Sequence, residues 1–292
     1  MSAAKVLALA SLCLCAVGAA RTVAAAEIFD TPSAAEVEEL MPSGEKLSGK
    51  QLYDRFIANR DRLRTASQRG WVLSSDPGGN PQRIDFWLHW KDYRDENDDA
   101  VNGVLSKTLL KVTGPRDQRH TGYLYIELEG GGDDQFMYSP NRGRTARVAI
   151  RGQNVGGSDF SFDDFLVRLD EIEDAEYTRH PDEQMEGVDC YVVEAVMKPT
   201  ATSRYTRAIV LLEKKHYVPL VARYWDDAGV EVKKLTSPHT SIREFDGAWV
   251  AVETTVTDLL ERTHSKLEIE TLIPNEEMDD RNFSISTLEF RP

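Results

Sequence analysis

From Trp71 onward the apolar residues recur with a period of two, in short runs cut by Gly, Pro, Asn and Asp. The first half reads WVLSS, IDFWLHWKDY, SKTLLKVT, TGYLYIELE, DQFMYSP and ARVAIR; the second reads DCYVVEAVM, YTRAIVLLEK, VPLVARYWDD, VEVKKLT, SIREF, AWVAVETTVTD and SKLEIETL. Such runs are strands joined by turns. Turn-length connections force antiparallel pairing, because parallel neighbours need crossovers of a dozen residues or more. The pattern predicts one large, strongly bent antiparallel sheet of about eleven to thirteen strands. About eight strands already enclose room for one small ligand, and further strands widen the bowl beyond what their own side chains fill. The expected fold class is therefore mainly β (α+β): an unclosed, half-open barrel with a few helices as lid or plug and an apolar hollow.

Few segments offer a plug. Ser48 with Gln51 makes a capping box, and Leu52, Phe56, Ile57 and Leu63 recur at helical spacing, which predicts a helix over 48–66 that ends before Gly70. In GGSDFSFDDF, residues 156–165, Ser161 and Asp164 repeat the capping pattern, and Phe162, Phe165, Leu166 and Leu169 lie at i, i+3, i+4 and i+7. Asp163 and Asp164 then fall in the first turn of a helix, where the dipole favours them. This phenylalanine-rich segment is expected to be a lid or rim element, with Gly156 and Gly157 as its hinge. Asp133 and Asp134 fit a hairpin turn.

The N-terminus has a different character. MSAAKVLALASLCLCAVGAARTVAAAE carries an early lysine, an apolar run and Ala24-x-Ala26, the features of a cleaved secretory signal over residues 1–26. Its apolar run is too short to span a bilayer as a helix. Residues 27–46 read as a loose leader and 47–292 as a single domain. Export predicts a soluble periplasmic protein. Of the three cysteines, only Cys190 lies beyond the signal, in an alternating run that suggests a buried strand thiol. The fold must then rest on its core without disulfides.

The chain holds 35 basic and 49 acidic residues, and two of the basic ones, Lys5 and Arg21, belong to the signal. So acidic a surface repels nucleic acid and anionic lipid head groups. No nucleic-acid partner is expected, and a monomer suffices. The six histidines are scattered singly, without HxH or HxxxH spacing, and no GxSxG, Walker or GxGxxG motif follows a strand. No metal, no cofactor and no catalytic residue is predicted. A hydrolase built on Asp159 with His180 or His120 is a rival reading.

Alternation nominates Trp71, Phe86, Leu88, Trp90, Leu124, Ile126, Tyr224 and Trp249 as lining of the hollow. In IDFWLHWKDY, Phe86, Leu88 and Trp90 oppose Trp87; in YTRAIVLLEK, Ala208, Val210 and Leu212 oppose Ile209 and Leu211.

The run GGGDDQFMYSPNRGRTARVAIRGQNVGGSDFSFDDF resembles the signature of LolA-like outer-membrane lipoprotein-sorting proteins of the type associated with RND-type exporters. The matching positions are Tyr138, Pro140, Arg144, Arg147, Gly157, Ser158, Asp159, Phe160, Phe162 and Asp164. The stretches KKHYVPLVARYWDDAG and IPNEEMDDRNFSISTLEF are similar as well, so the resemblance covers about residues 48–290. The chain departs from it in RTARVAI, where a basic pair is usual before Ile, and at Asn154, Val155 and Gly156, where Phe-Met is usual. The resemblance implies a LolA/LolB-like unclosed barrel with a helical lid that binds acyl chains of a lipid or lipoprotein in transit across the periplasm. It implies as partners an inner-membrane RND-type exporter and an outer-membrane acceptor. A periplasmic sensor of lipids or lipoproteins, or an accessory subunit of the exporter, is the alternative.

Overall fold

The computed structural model describes residues 46–75, 79–150, 152–165, 175–199 and 203–290. The segments expected to be signal and leader, up to residue 45, and Leu166 and Leu169 lie outside the described residues.

Helix α1 (Gly49–Arg60) begins at Ser48, whose hydroxyl accepts from the Gln51 amide while the Gln51 side chain accepts from Ser48, so the capping box forms as read. The helix is shorter than the predicted span. Asn275 accepts from the Arg64 amide and donates to the Arg62 carbonyl, drawing 62–64 toward the sheet, and strand β1 (Thr65–Ser75) has begun by Thr65.

The strands that follow are β2 (Pro81–Asp92), β3 (Val104–Gly114), β4 (Gly122–Leu128), β5 (Asp134–Ser139), β6 (Arg144–Arg147), β7 (Ala175–Met185), β8 (Val188–Met197), β9 (Arg207–Glu213), β10 (Pro219–Trp225), β11 (Glu231–Thr236), β12 (Ile242–Phe245), β13 (Ala248–Ala251), β14 (Glu253–Asp258) and β15 (Thr263–Pro274). A short helix, α2 (Ile285–Glu289), follows. Thirteen strands form one sheet in the order β6-β5-β4-β3-β2-β1-β15-β14-β11-β10-β9-β8-β7, and β12 and β13 make a separate hairpin. All the pairings are antiparallel. The sheet is not closed: β6 and β7 are its edges, and its two meanders meet where β15 returns beside β1. At that seam the register shifts between Arg69 and Gly70, and a Cβ at Gly70 would lie 2.2 Å from the Glu268 carbonyl, so glycine is what permits the bulge.

Two runs behave differently from their pattern. AWVAVETTVTD is two strands in two sheets, split at Val252. ARVAIR pairs only through Arg147, because the Val148 and Ile150 amides then donate to the Gln135 carbonyl and side chain, which carries Ile150 off the sheet edge.

The sheet has apolar residues on both faces. Phe86, Leu88 and Trp90 belong to the main core on what we call the inner face, together with Leu110, Tyr123 and Tyr125. Trp87 points the other way, where Leu109, Leu124 and Phe136 are covered by Met278, Phe283 and Leu288 of the C-terminal segment. Lys111 fastens that segment by donating to the carbonyls of Leu288 at 2.5 Å and Phe290 at 3.0 Å.

Candidate functional site

The space over the inner face that the strand count leaves to be filled is occupied by residues 150–165. Ile150, Val155, Phe160, Phe162 and Phe165 pack into the same core as Phe86, Leu88 and Trp90. The Phe86 and Phe165 rings meet edge to face at 5.3 Å, and Phe162 lies 5.9 Å from Tyr123 and 6.1 Å from Tyr125. Burial raises the Tyr123 phenol above its ordinary value. This plug has its own turn structure: the Val155 amide donates to the Phe160 carbonyl and the Phe162 amide to the Gln153 carbonyl, while Ser158 bonds the Val155 carbonyl at 2.8 Å and accepts from the Phe160 amide. Of the expected helix, the described part, Phe162–Phe165, is a 3-10 turn, and the remainder lies outside the described residues.

Two polar contacts fix the plug to the far half of the sheet. The Asp159 carboxylate accepts from the hydroxyls of Ser265, at 2.6 Å, and Thr263, both on β15. Asp164 accepts from the Ser161 amide and hydroxyl at 2.7 and 2.9 Å and forms an ion pair with Lys233 of β11. That pair is nearly dry, its side chains being 7% and 11% exposed. At the loop's near end Gly156 has φ of 58°, and a Cβ there would sit 2.3 Å from Cδ1 of Ile84. Glycine is therefore what lets the turn lie on the sheet.

The eight nominated lining residues separate into three places. Phe86, Leu88 and Trp90 share one core with the plug, and the Phe86 ring meets Phe165. Tyr224 shares their face, since it stands opposite Lys233, which reaches the plug; burial raises its phenol. Trp71, Leu124 and Ile126 are on the outer face, the first below the Arg83 guanidinium and Lys266, the others beneath the C-terminal segment. Trp249 stacks on the His216 ring at 3.6 Å, and Asn59 of α1 bonds both its backbone groups. Gly157, Ser158, Asp159, Phe160, Phe162 and Phe165 all belong to the plug. Sequence reasoning missed Ile84, Tyr123, Tyr125, Lys233 and Ser265; the spacing within GGSDFSFDDF had no way to indicate its partners across the fold.

Asp159 faces Ser265 and Thr263, while His180 bonds Glu194 at 2.9 Å, so the two do not form a dyad. Among the described residues no group of three or more His, Cys, Asp or Glu is placed to hold a metal ion. Cys190 is fully buried, and burial pushes its thiol up to about 11. No described helix is long and apolar enough to cross a membrane.

The open antiparallel sheet with its inner face closed by a loop is similar in fold to several solved structures. Solved structures with this fold include a domain assigned as an outer membrane lipoprotein-sorting protein from Vibrio parahaemolyticus (23% identity, 83% of this chain and 98% of that one, TM-score 0.71). A DUF1329 family protein from Desulfovibrio piger is similar (22%, 82% and 98%, 0.71), as is a LolA superfamily protein from Nitrosomonas europaea (12%, 82% and 98%, 0.62). A family model described as "Uncharacterized protein" matches residues 105–290, and the chain belongs to that family. No curated protein matches.

Proposed function

We propose that this protein is a non-enzymatic periplasmic carrier that receives an acyl chain of a lipid or lipoprotein on the inner face and ferries it toward the outer membrane. The observation that carries this reading is the plug: three phenylalanines cover an apolar wall of Phe86, Leu88 and Trp90, and side chains rather than a continuous strand ladder hold them there. Burying three such rings is worth about 5–9 kcal/mol at roughly 1.5–3 each. An acyl chain of about 14–16 carbons gains about 11–13 kcal/mol at roughly 0.8 per methylene. Exchange of plug for chain is thus favourable before entropy is counted, and the plug keeps the wall from water when no chain is bound.

The family resemblance and the lipoprotein-sorting name of the Vibrio relative support the same reading. It assigns an inner-membrane RND-type exporter as donor and an outer-membrane acceptor as recipient, after removal of residues 1–26. The acidic charge suits a protein that leaves anionic membranes readily. The test is mass spectrometry of the organic extract of protein purified from its native periplasm. A stoichiometric acyl lipid is expected; lipid-free protein co-purifying with a regulatory membrane protein would favour a sensor instead.

A further inference from the structure

Two polar side chains lie opposite each other on the inner face, where its apolar part meets the buried polar residues Asp92, Ser106 and Glu127. Trp90 on β2 and Thr108 on β3 are direct cross-strand partners, so their side chains leave the sheet on the same side, with Cβ atoms about 4.5–5.5 Å apart. They are 1% and 0% exposed. Among the described residues neither the indole Nε1 nor the Thr108 Oγ1 has a hydrogen-bond partner. Buried polar groups are nearly always paired, so two adjacent exceptions call for a reason. Several other such atoms are accounted for differently: those of Asp92, Asp182 and His216 lie within ion-pair reach of Arg64, Lys214 and Glu213, while Ser74 Oγ and His89 Nδ1 are isolated single atoms rather than a facing pair. The next residue in the row, Tyr125, stands opposite Thr108 and is satisfied, its hydroxyl donating to Asp133 at 2.6 Å. Phe162 of the plug lies against Tyr125, so withdrawal of the plug opens this row from that side.

We propose that Trp90 Nε1 and Thr108 Oγ1 form a polar anchor for the carbonyl oxygen of an ester or amide at the head of an acyl chain. A carbonyl oxygen has two lone pairs and accepts from both an indole N–H and a hydroxyl. Both donors are neutral, which suits a neutral acceptor. The anchor fixes how deep the chain enters and lets the carrier distinguish an acyl linkage from plain hydrocarbon. The proposal rests on the acyl-carrier reading and adds the part of the ligand that is recognised.

The test uses the purified protein and two probes of equal chain length, methyl hexadecanoate and hexadecane, each competing against a fluorescent fatty acid. Thr108→Val, which keeps the shape and removes the hydroxyl, is expected to weaken the ester about tenfold while leaving hexadecane unchanged. Thr108→Ser should restore ester binding. Equal effects on both probes, or unchanged binding with a raised melting temperature, would overturn the anchor and leave the carrier standing; the second result marks a hydroxyl bonded only to water. Failure of the unmodified protein to bind either probe would overturn the carrier reading, and the anchor with it.

Discussion

Asp159 and Ser265 bond each other twice: the Ser265 hydroxyl donates to the Asp159 carboxylate at 2.6 Å and accepts from the Asp159 amide at 3.0 Å. The serine is fully buried on β15, so this reciprocal pair is where a loop more than a hundred residues earlier in the chain is pinned to the sheet.

Asp159→Ala strands the Ser265 hydroxyl and weakens plug docking by about 1–3 kcal/mol. At about 1.4 kcal/mol per tenfold, the plug opens roughly 5- to 150-fold more often. Hydrogen exchange at the Val155 and Phe162 amides should accelerate by that factor, with β8 and β9 unaffected. A catalytic aspartate would show lost turnover instead.

Lys233→Met leaves the Asp164 carboxylate in a nearly dry site with only the Ser161 groups. A loss of about 3–5 kcal/mol is expected, read from the urea midpoint. Adding Asp164→Leu removes the stranded charge, so the double variant should be more stable than Lys233→Met alone.

Gly156→Ala places a methyl group 2.3 Å from Ile84 Cδ1 in a left-handed backbone conformation. It should cost about 1–3 kcal/mol from the clash. Ile84→Ala in the same chain relieves the clash but not the backbone penalty of roughly 1–2 kcal/mol, so thermal melts should show partial rescue beyond the cavity cost of that change alone.

The His89 ring lies tilted against Trp87 with centroids 4.6 Å apart, and burial lowers its pKa; nearby Glu276 opposes that shift and Arg69 adds to it. The unfolded chain therefore takes up the proton first. Stability should be unaffected above the ordinary value of 6.5, then decline as pH falls from there to the lowered folded value. Melting curves between neutral and mildly acidic pH should show this slope, and His89→Gln should remove it.

What the sequence made legible was local. Alternation correctly opposed Phe86, Leu88 and Trp90 to Trp87, and the Ser48 capping box started α1 where expected. Strand β7 escaped because AEYTRHPDEQM is a polar edge strand with a proline and little alternation to detect. The choice of face escaped because both faces are apolar, so a period of two could not tell that Leu124 lies under the C-terminal segment while Tyr125 lies under the plug. Helix α1 was extended too far because Leu63 fits helical spacing yet reaches the core from the turn after the helix. The motif's acids were legible as scaffold, but Ser265 and Lys233, which receive them, are distant in sequence and individually ordinary.

The central claim is that the acyl chain and the plug compete for one wall. Because the Asp159 and Ser265 side chains already meet, the pair Asp159→Cys and Ser265→Cys offers a disulfide that holds the plug shut, to be compared oxidised and reduced in titration with a fluorescent fatty acid. Micromolar binding to the reduced protein, abolished on oxidation and regained on reduction, is the predicted result. Equal binding in both states would contradict the account.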